Sequence, residues 1–194
     1  MMSGLSIRPC PPGTIPEVKL VEARTYEDSR GYFSEVFKRS VFAGAGLEFE
    51  IRQISQSFSV DPGTMRGLHF QTPPHAQAKL VRVLSGAVRD VAVDIRVGSP
   101  TYGQWVATTL TAQNRRQLFV PHGFAHGFFT LKPDTVVVYA VDNEYAPDYE
   151  AGILWNDSDL AIDWPDTGSD PVLSDKDRHQ PPLADLPPHF FYEG

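Results

Sequence analysis

Short runs of alternating apolar and polar residues, separated by glycine and proline, constrain the fold of this chain more than any other feature. Glu17–Arg24 and Ile51–Val60 alternate in this way, as strands with one buried face do. Gln104–Leu110 is a further strand candidate. Thr135–Val141 is β-branched and nearly uniformly apolar, which is typical of a strand buried on both faces. Tyr32–Phe37 and Gln117–Val120 are shorter strand candidates.

The segments between these runs predict turns and little helix. Leu80–Leu84 and Ala87–Ile95 flank Ser85-Gly86, a pattern that predicts a β-hairpin. Asp28–Gly31 predicts a turn. Ser40–Gly46 predicts a short helix with Ser40 as its N-cap.

A second short helix is expected at Ser174–Arg178, and the 17 prolines of the chain disfavour longer ones. Many short strands with frequent turns predict an all-β fold, a double-sheet jelly roll or barrel. We expect one domain over residues 1–194, with an extended N-terminal arm (1–16) and a Pro-rich C-terminal tail (about 179–194). Ligands of such barrels bind in the mouth.

Composition argues against several classes of function. The net charge of −7 is unlike the basic excess of nucleic-acid-binding proteins. No apolar run approaches the roughly 18 residues of a membrane span. Met1–Pro12 has no secretory pattern, and Cys10 is the only cysteine, so no intrachain disulfide is possible. We therefore expect a cytoplasmic protein.

The histidines are the residues with the clearest catalytic potential. His69 lies at the entry of a strand in Met65–Gln71, ten residues before Lys79, and a histidine can act as a general base near neutral pH. His122 and His126 have an H-x3-H spacing, but the glycines around them argue against the helix on which that spacing binds zinc. No phosphate-binding glycine loop and no nucleophile elbow occur. We predict no metal site.

Several segments, in order along Val18–Arg178, resemble the dTDP-4-dehydrorhamnose 3,5-epimerase family. They are Arg66–Gln71, Ala76–Arg82, Asp90–Arg96 with Gly98–Gly103, Pro121–Phe128, Gly152–Asp157 and Leu173–Asp177. The resemblance implies a cupin-type jelly roll that forms homodimers and needs no cofactor. It also implies inversion of C3 and C5 of dTDP-4-keto-6-deoxy-D-glucose, which gives dTDP-4-keto-L-rhamnose.

The resemblance also assigns catalytic roles. His69 would remove the proton next to the ketone, and Asp177 would orient its imidazole. Lys79 would stabilise the enolate oxygen, and Tyr139 would return a proton from the opposite face.

Binding roles follow from the same matches. Arg66 is similar to the family's phosphate-binding arginine, with His126 near the sugar and phosphate. Arg30 and Glu35 resemble a nucleotide-binding segment that reaches into the neighbouring subunit. Further matches to binding positions are Gln53, Glu150 and Lys176.

One departure and three alternatives remain open. The family usually has Gln-x-Asn-x-Ser where this chain has Gln53-Ile54-Ser55-Gln56-Ser57, so an amide is replaced by the Ser55 hydroxyl. The residues do not separate the double epimerase from a C3-only epimerase of antibiotic-sugar synthesis. A metal-dependent cupin oxygenase or isomerase using His122 and His126 is a second alternative. A sugar-nucleotide-binding barrel without catalysis is the third.

Overall fold

The computed structural model describes residues 4–194, and two β-sheets dominate its architecture. Leu5–Pro9 (β1), Lys19–Ala23 (β2), Gln53–Ser59 (β5), Lys79–Ser85 (β7), Gln117–Val120 (β11) and Thr135–Val141 (β13) form a six-stranded sheet in the order β1-β2-β11-β7-β13-β5. Met65–Gln71 (β6), Ala87–Asp94 (β8), Trp105–Thr111 (β10), Phe124–Thr130 (β12) and Glu150–Gly152 (β14) form a five-stranded sheet in the order β10-β8-β12-β6-β14. All neighbours within both sheets are antiparallel. This arrangement confirms the predicted all-β jelly roll.

Smaller elements complete the chain. Thr25–Asp28 (β3) and Gly31–Ser34 (β4) form a separate hairpin around the predicted turn. Arg96–Val97 (β9) pairs in parallel with Phe190–Phe191 (β15), which lies in the C-terminal tail. The helices are Arg39–Gly44 (α1) and Asp175–Arg178 (α2), with single 3-10 turns at Pro147–Tyr149 and Leu183–Asp185.

Both predicted helices form, but their N-caps differ. The N-cap of α1 is Lys38, and no side chain caps it, so the prediction of Ser40 as the cap was wrong. In α2 the Ser174 side chain accepts a hydrogen bond from the backbone N–H of Asp177, which satisfies a donor that the first helical turn leaves free. This cap fixes the backbone of Asp177, a residue of the site described below.

The core lies in three layers. Between the sheets, Val81 and Val137 pack against Val88 and Phe128. The outer face of the five-stranded sheet is covered by residues 153–190, and that of the six-stranded sheet by residues 37–51. Ala92 and Val91 face opposite sides of β8, because they belong to different layers.

The predicted hairpin at Ser85-Gly86 was wrong. β7 pairs with β11 and β13, whereas β8 pairs with β10 and β12, so the chain passes from one sheet to the other at this point. Gly86 has φ +77, and a Cβ there would lie 2.2 Å from Thr135 Oγ1. Only glycine fits at this crossing between the sheets, where the backbone passes close to Thr135. The same glycine made the segment look like a hairpin turn in the sequence.

Within residues 4–194 no helix is long and apolar enough to cross a membrane. Cys10 is a free, buried thiol, and burial raises its pKa to about 11. The cytoplasmic location stays a prediction.

Candidate active site

A cavity of about 790 Å³ opens between the two sheets. Its walls come from β5, β7 and β13 on one side and from β6 and β12 on the other, with α2 at the rim. Every site residue predicted from the sequence lines it except Arg30 and Glu35: Gln53, Arg66, His69, Lys79, His126, Tyr139, Glu150, Lys176 and Asp177.

His69 and Asp177 form a hydrogen-bonded pair although they lie 108 positions apart. The Nε2 atom of His69 is 2.5 Å from Asp177 Oδ1, and the side chains are 24% and 4% exposed. Burial would raise the pKa of Asp177, but the hydrogen bond and electrostatic attraction of His69, helped by the Ser174 hydroxyl, hold it below its ordinary value. An ionised carboxylate in this position holds the imidazole in one orientation and one tautomer.

His69 and Tyr139 belong to opposite walls of the cavity. His69 is on β6 of the five-stranded sheet, and Tyr139 is on β13 of the six-stranded sheet. Both side chains line the same space. A ligand held between the sheets therefore meets an imidazole on one side and a phenol on the other.

Lys79 stands next to this pair. It begins β7, where its backbone pairs with Val141 two residues beyond Tyr139, and its Nζ donates a hydrogen bond to the His69 carbonyl at 3.1 Å. Burial lowers the pKa of Lys79 to about 8, and the carboxylates of Asp90 and Glu150 oppose that fall. The lysine is therefore a cation near neutral pH, close to its point of deprotonation.

Glu150 joins two groups at the rim. Its Oε1 is 2.5 Å from Lys176 Nζ, and its Oε2 accepts a hydrogen bond from the Tyr145 hydroxyl at 2.9 Å. Burial would raise the pKa of Glu150, but the hydrogen bonds from Lys176 and Tyr145 keep it below its usual range. Tyr145 also lines the cavity. It carries no signal in the sequence, since only the chain path brings it here.

His126 has a carboxylate partner that sequence reasoning missed. Its Nε2 lies 2.9 Å from Oδ1 of Asp90, a side chain with no exposed surface. The other oxygen, Oδ2, has no hydrogen-bond partner among residues 4–194. In the sequence Asp90 appeared only as the first residue of the matched segment Asp90–Arg96, with no role assigned to it.

Ser55, which stands where the family usually has asparagine, forms a hydrogen bond with Gln53. Gln53 Nε2 donates to Ser55 Oγ at 2.9 Å, and Gln53 Oε1 accepts from the backbone N–H of Tyr145 at 2.9 Å. The serine hydroxyl thus fixes one end of the Gln53 amide and the Tyr145 loop fixes the other.

Arg30 and Glu35 lie outside this cavity. Arg30 sits at the turn between β3 and β4, where its 87% exposed side chain pairs with Asp28 at 2.6 Å. Glu35 follows β4 and lies 3.8 Å from Lys38. The isolated chain does not bring these two residues to the site that they were predicted to serve.

The two histidines considered for metal binding have different partners. His122 Nε2 is 3.0 Å from Asp142 on a half-exposed surface, whereas His126 lies within the cavity wall beside Asp90. In the described part of the chain, no three metal-ligating side chains meet.

Comparisons with known proteins agree on one family. The model of the dTDP-4-dehydrorhamnose 3,5-epimerase family matches residues 12–185. A dTDP-4-dehydrorhamnose 3,5-epimerase of Sinorhizobium fredii is 50% identical over 179 residues, which is 92% of this chain and 91% of that protein.

Solved structures give the same result. A Legionella pneumophila 3,5-epimerase, solved in complex with dTDP-4-keto-L-rhamnose, superposes with a TM-score of 0.91 at 39% identity over 98% of this chain and all of that one. A 3'-monoepimerase of Streptomyces bikiniensis, in complex with dTDP-quinovose, reaches 0.83 at 35% identity over 88% of this chain and 86% of its own. The chain belongs to the dTDP-4-dehydrorhamnose 3,5-epimerase family.

Proposed function

We propose that this protein is a sugar-nucleotide epimerase that inverts C3 and C5 of dTDP-4-keto-6-deoxy-D-glucose to give dTDP-4-keto-L-rhamnose. The observation that carries the proposal is the placement of His69 and Tyr139 on opposite walls of one cavity. Inversion needs a base on one side of the carbon and an acid on the other, and mere binding would need neither.

Proton removal is the task of His69. A C–H bond beside a ketone is weakly acidic because its electron pair can move onto the carbonyl oxygen. Since Asp177 occupies Nε2, the second ring nitrogen accepts the proton. The buried carboxylate then stabilises the imidazolium that forms.

The enolate needs a cation and a proton source. Lys79, protonated below about pH 8, is the group that stabilises the negative oxygen. Tyr139 donates its phenolic proton to the other face of the carbon, which completes the inversion. Water then takes the proton from the His69 imidazolium and returns one to the Tyr139 phenolate, and the same cycle at the second carbon gives the double epimer.

Deuterium incorporation tests this function. The protein is incubated with the 4-keto sugar nucleotide in heavy water, and C3 and C5 are followed by NMR. We expect deuterium at both carbons, and His69→Ala should lower the rate by about 10²–10⁴. Exchange at C3 alone would make the protein a C3-only epimerase, and no exchange at either carbon would refute the proposal.

We also propose a homodimer in which the β3–β4 hairpin of one protomer reaches the cavity of its partner. The hairpin pairs with no other strand among the described residues, and its aromatic side chains are exposed: Tyr26, Tyr32 and Phe33 at 49%, 54% and 70%. Exposed aromatic groups on a projecting segment are typical of interaction sites. This arrangement would give Arg30 and Glu35 their predicted binding role.

Complementation tests the exchange. Arg30→Ala and His69→Ala are each expected to have little activity. If Arg30 acts across the interface, a mixed dimer contains one intact site, and random mixing restores about a quarter of the wild-type activity. A mixture no more active than its components would show that Arg30 does not serve the partner's site.

A further inference from the structure

The turn between β10 and β11 holds an arginine in an unusual backbone conformation. Arg115 has φ +55, a left-handed conformation that is uncommon for residues other than glycine. The neighbouring Asn114 makes the turn rigid, because its Oδ1 accepts hydrogen bonds from the backbone N–H groups of Thr111 and Arg116 at 3.1 and 3.0 Å. Its Nδ2 donates to the Thr109 carbonyl at 2.8 Å. The turn therefore fixes the direction in which the Arg115 side chain leaves the backbone.

The Arg115 side chain lies against the β3–β4 hairpin. Its Cζ is 4.0 Å from the ring centroid of Tyr32 on β4, and a guanidinium so close to the face of a ring is attracted by the electrons of that face. Its Nη1 is 3.6 Å from Oε1 of Glu27 on β3. One side chain of the β10–β11 turn thus contacts both strands of the hairpin.

The far part of the hairpin, Glu27–Phe33, depends on this contact for its orientation. Within residues 4–194, every ion pair, side-chain hydrogen bond and ring contact that it makes with residues outside the hairpin involves Arg115. Arg30 is paired with Asp28 inside the hairpin itself. The hairpin also joins neither of the two large sheets, and an isolated two-stranded hairpin is only marginally stable.

We propose that Arg115 is a positioning residue for the active site of the partner subunit. By holding Tyr32 and Glu27, it orients the hairpin that carries Arg30 and Glu35 into the partner's cavity. Without it, part of the binding energy of the nucleotide would be used to order the hairpin. The inference rests on the proposed exchange of hairpins between the protomers, and Arg115 itself contacts no substrate.

Kinetics of deuterium incorporation at several substrate concentrations test this role. In Arg115→Ala the KM should rise about three- to tenfold while kcat stays within about twofold, because the hairpin binds the nucleotide and the reacting carbons lie elsewhere. Arg116→Ala is the matched control: it removes the adjacent arginine of the same turn, which bonds Glu22 on β2 at 2.8 Å instead of the hairpin. The control should keep the wild-type KM. An unchanged KM in Arg115→Ala, or an equal rise in the control, would overturn the proposal.

Mixed dimers separate positioning across the interface from a structural effect inside one protomer. Arg115→Ala and His69→Ala are co-expressed in equal amounts. In the mixed dimer, the cavity with an intact His69 receives the hairpin of the other protomer, whose Arg115 is present. Random mixing then gives about half of the sites with an intact His69 the wild-type KM. If all of these sites show the raised KM, Arg115 acts only within its own protomer and the proposal is wrong.

The outcomes distinguish this inference from the proposals on which it rests. Recovery in the mixture of Arg30→Ala and His69→Ala, without wild-type KM in the Arg115→Ala mixture, leaves the exchange standing and overturns the role of Arg115. No recovery in either mixture overturns the exchange and this inference with it, whereas deuterium incorporation by the wild type tests the epimerase function independently. If Arg115→Ala does not fold, Arg115→Gly, whose backbone adopts φ +55 without strain, gives the same comparison.

Discussion

Replacing Asp177 with asparagine keeps the shape of the side chain and removes its charge. The carboxylate is 4% exposed and 2.5 Å from His69 Nε2, so nothing else at that nitrogen can stabilise the imidazolium formed on proton removal. A charge-assisted hydrogen bond of this kind contributes about 1.5–3 kcal/mol, or about 10–150-fold in rate at 1.4 kcal/mol per factor of ten. Attraction between the two charges adds to this, since the effective dielectric at a buried pair is about 20.

We therefore expect Asp177→Asn to lower the rate of deuterium incorporation at C3 by about 10²–10³, with KM changed little. The matched control is Asp175→Asn, the same chemical change on the same helix at an exposed position. The control should retain wild-type activity. A rate for Asp177→Asn within threefold of the wild type, or an equal loss in the control, would refute the view that the carboxylate acts through His69.

Further expectations concern pH and stability. A lysine loses its charge as pH rises through its pKa, so activity that depends on Lys79 should fall above about pH 8. Glu150→Gln removes a carboxylate that raises this pKa, so the alkaline limb of the kcat profile should move to lower pH; an unmoved limb would contradict the role of Lys79. Arg96→Leu leaves the fully buried carboxylate of Asp94 without its ion-pair partner. This loss should lower the free energy of unfolding by about 3 kcal/mol in denaturant titrations. Gly86→Ala combines a left-handed φ with a Cβ only 2.2 Å from Thr135 Oγ1, whereas Gly98→Ala has only the left-handed φ, so thermal melting should show the larger loss for Gly86. Equal losses of melting temperature in the two variants would contradict the close contact between residue 86 and Thr135.

Local patterns in the sequence were sufficient for most of the strands. Gln117–Val120 and Thr135–Val141 have the predicted bounds, and the second short helix lies within the predicted Ser174–Arg178. Alternation and capping depend on neighbouring residues, so they can be read without knowing the fold. The hairpin at Ser85-Gly86 failed because pairing partners are not local.

For the candidate site, too, the residue types could be predicted from the sequence, whereas their hydrogen-bond partners could not. The family resemblance assigned proton transfer to His69 and Tyr139 and stabilisation of the enolate to Lys79, and all three side chains line the cavity.

What the sequence determined by itself is the β-rich class of the fold and the chemistry available to it. Tertiary structure alone decided that Asp177 reaches His69, that Asp90 lies behind His126, and that Arg115 lies over the ring of Tyr32. The physical reason is that side-chain chemistry belongs to each residue, whereas hydrogen-bond partners and burial depend on which distant segments the sheets bring together.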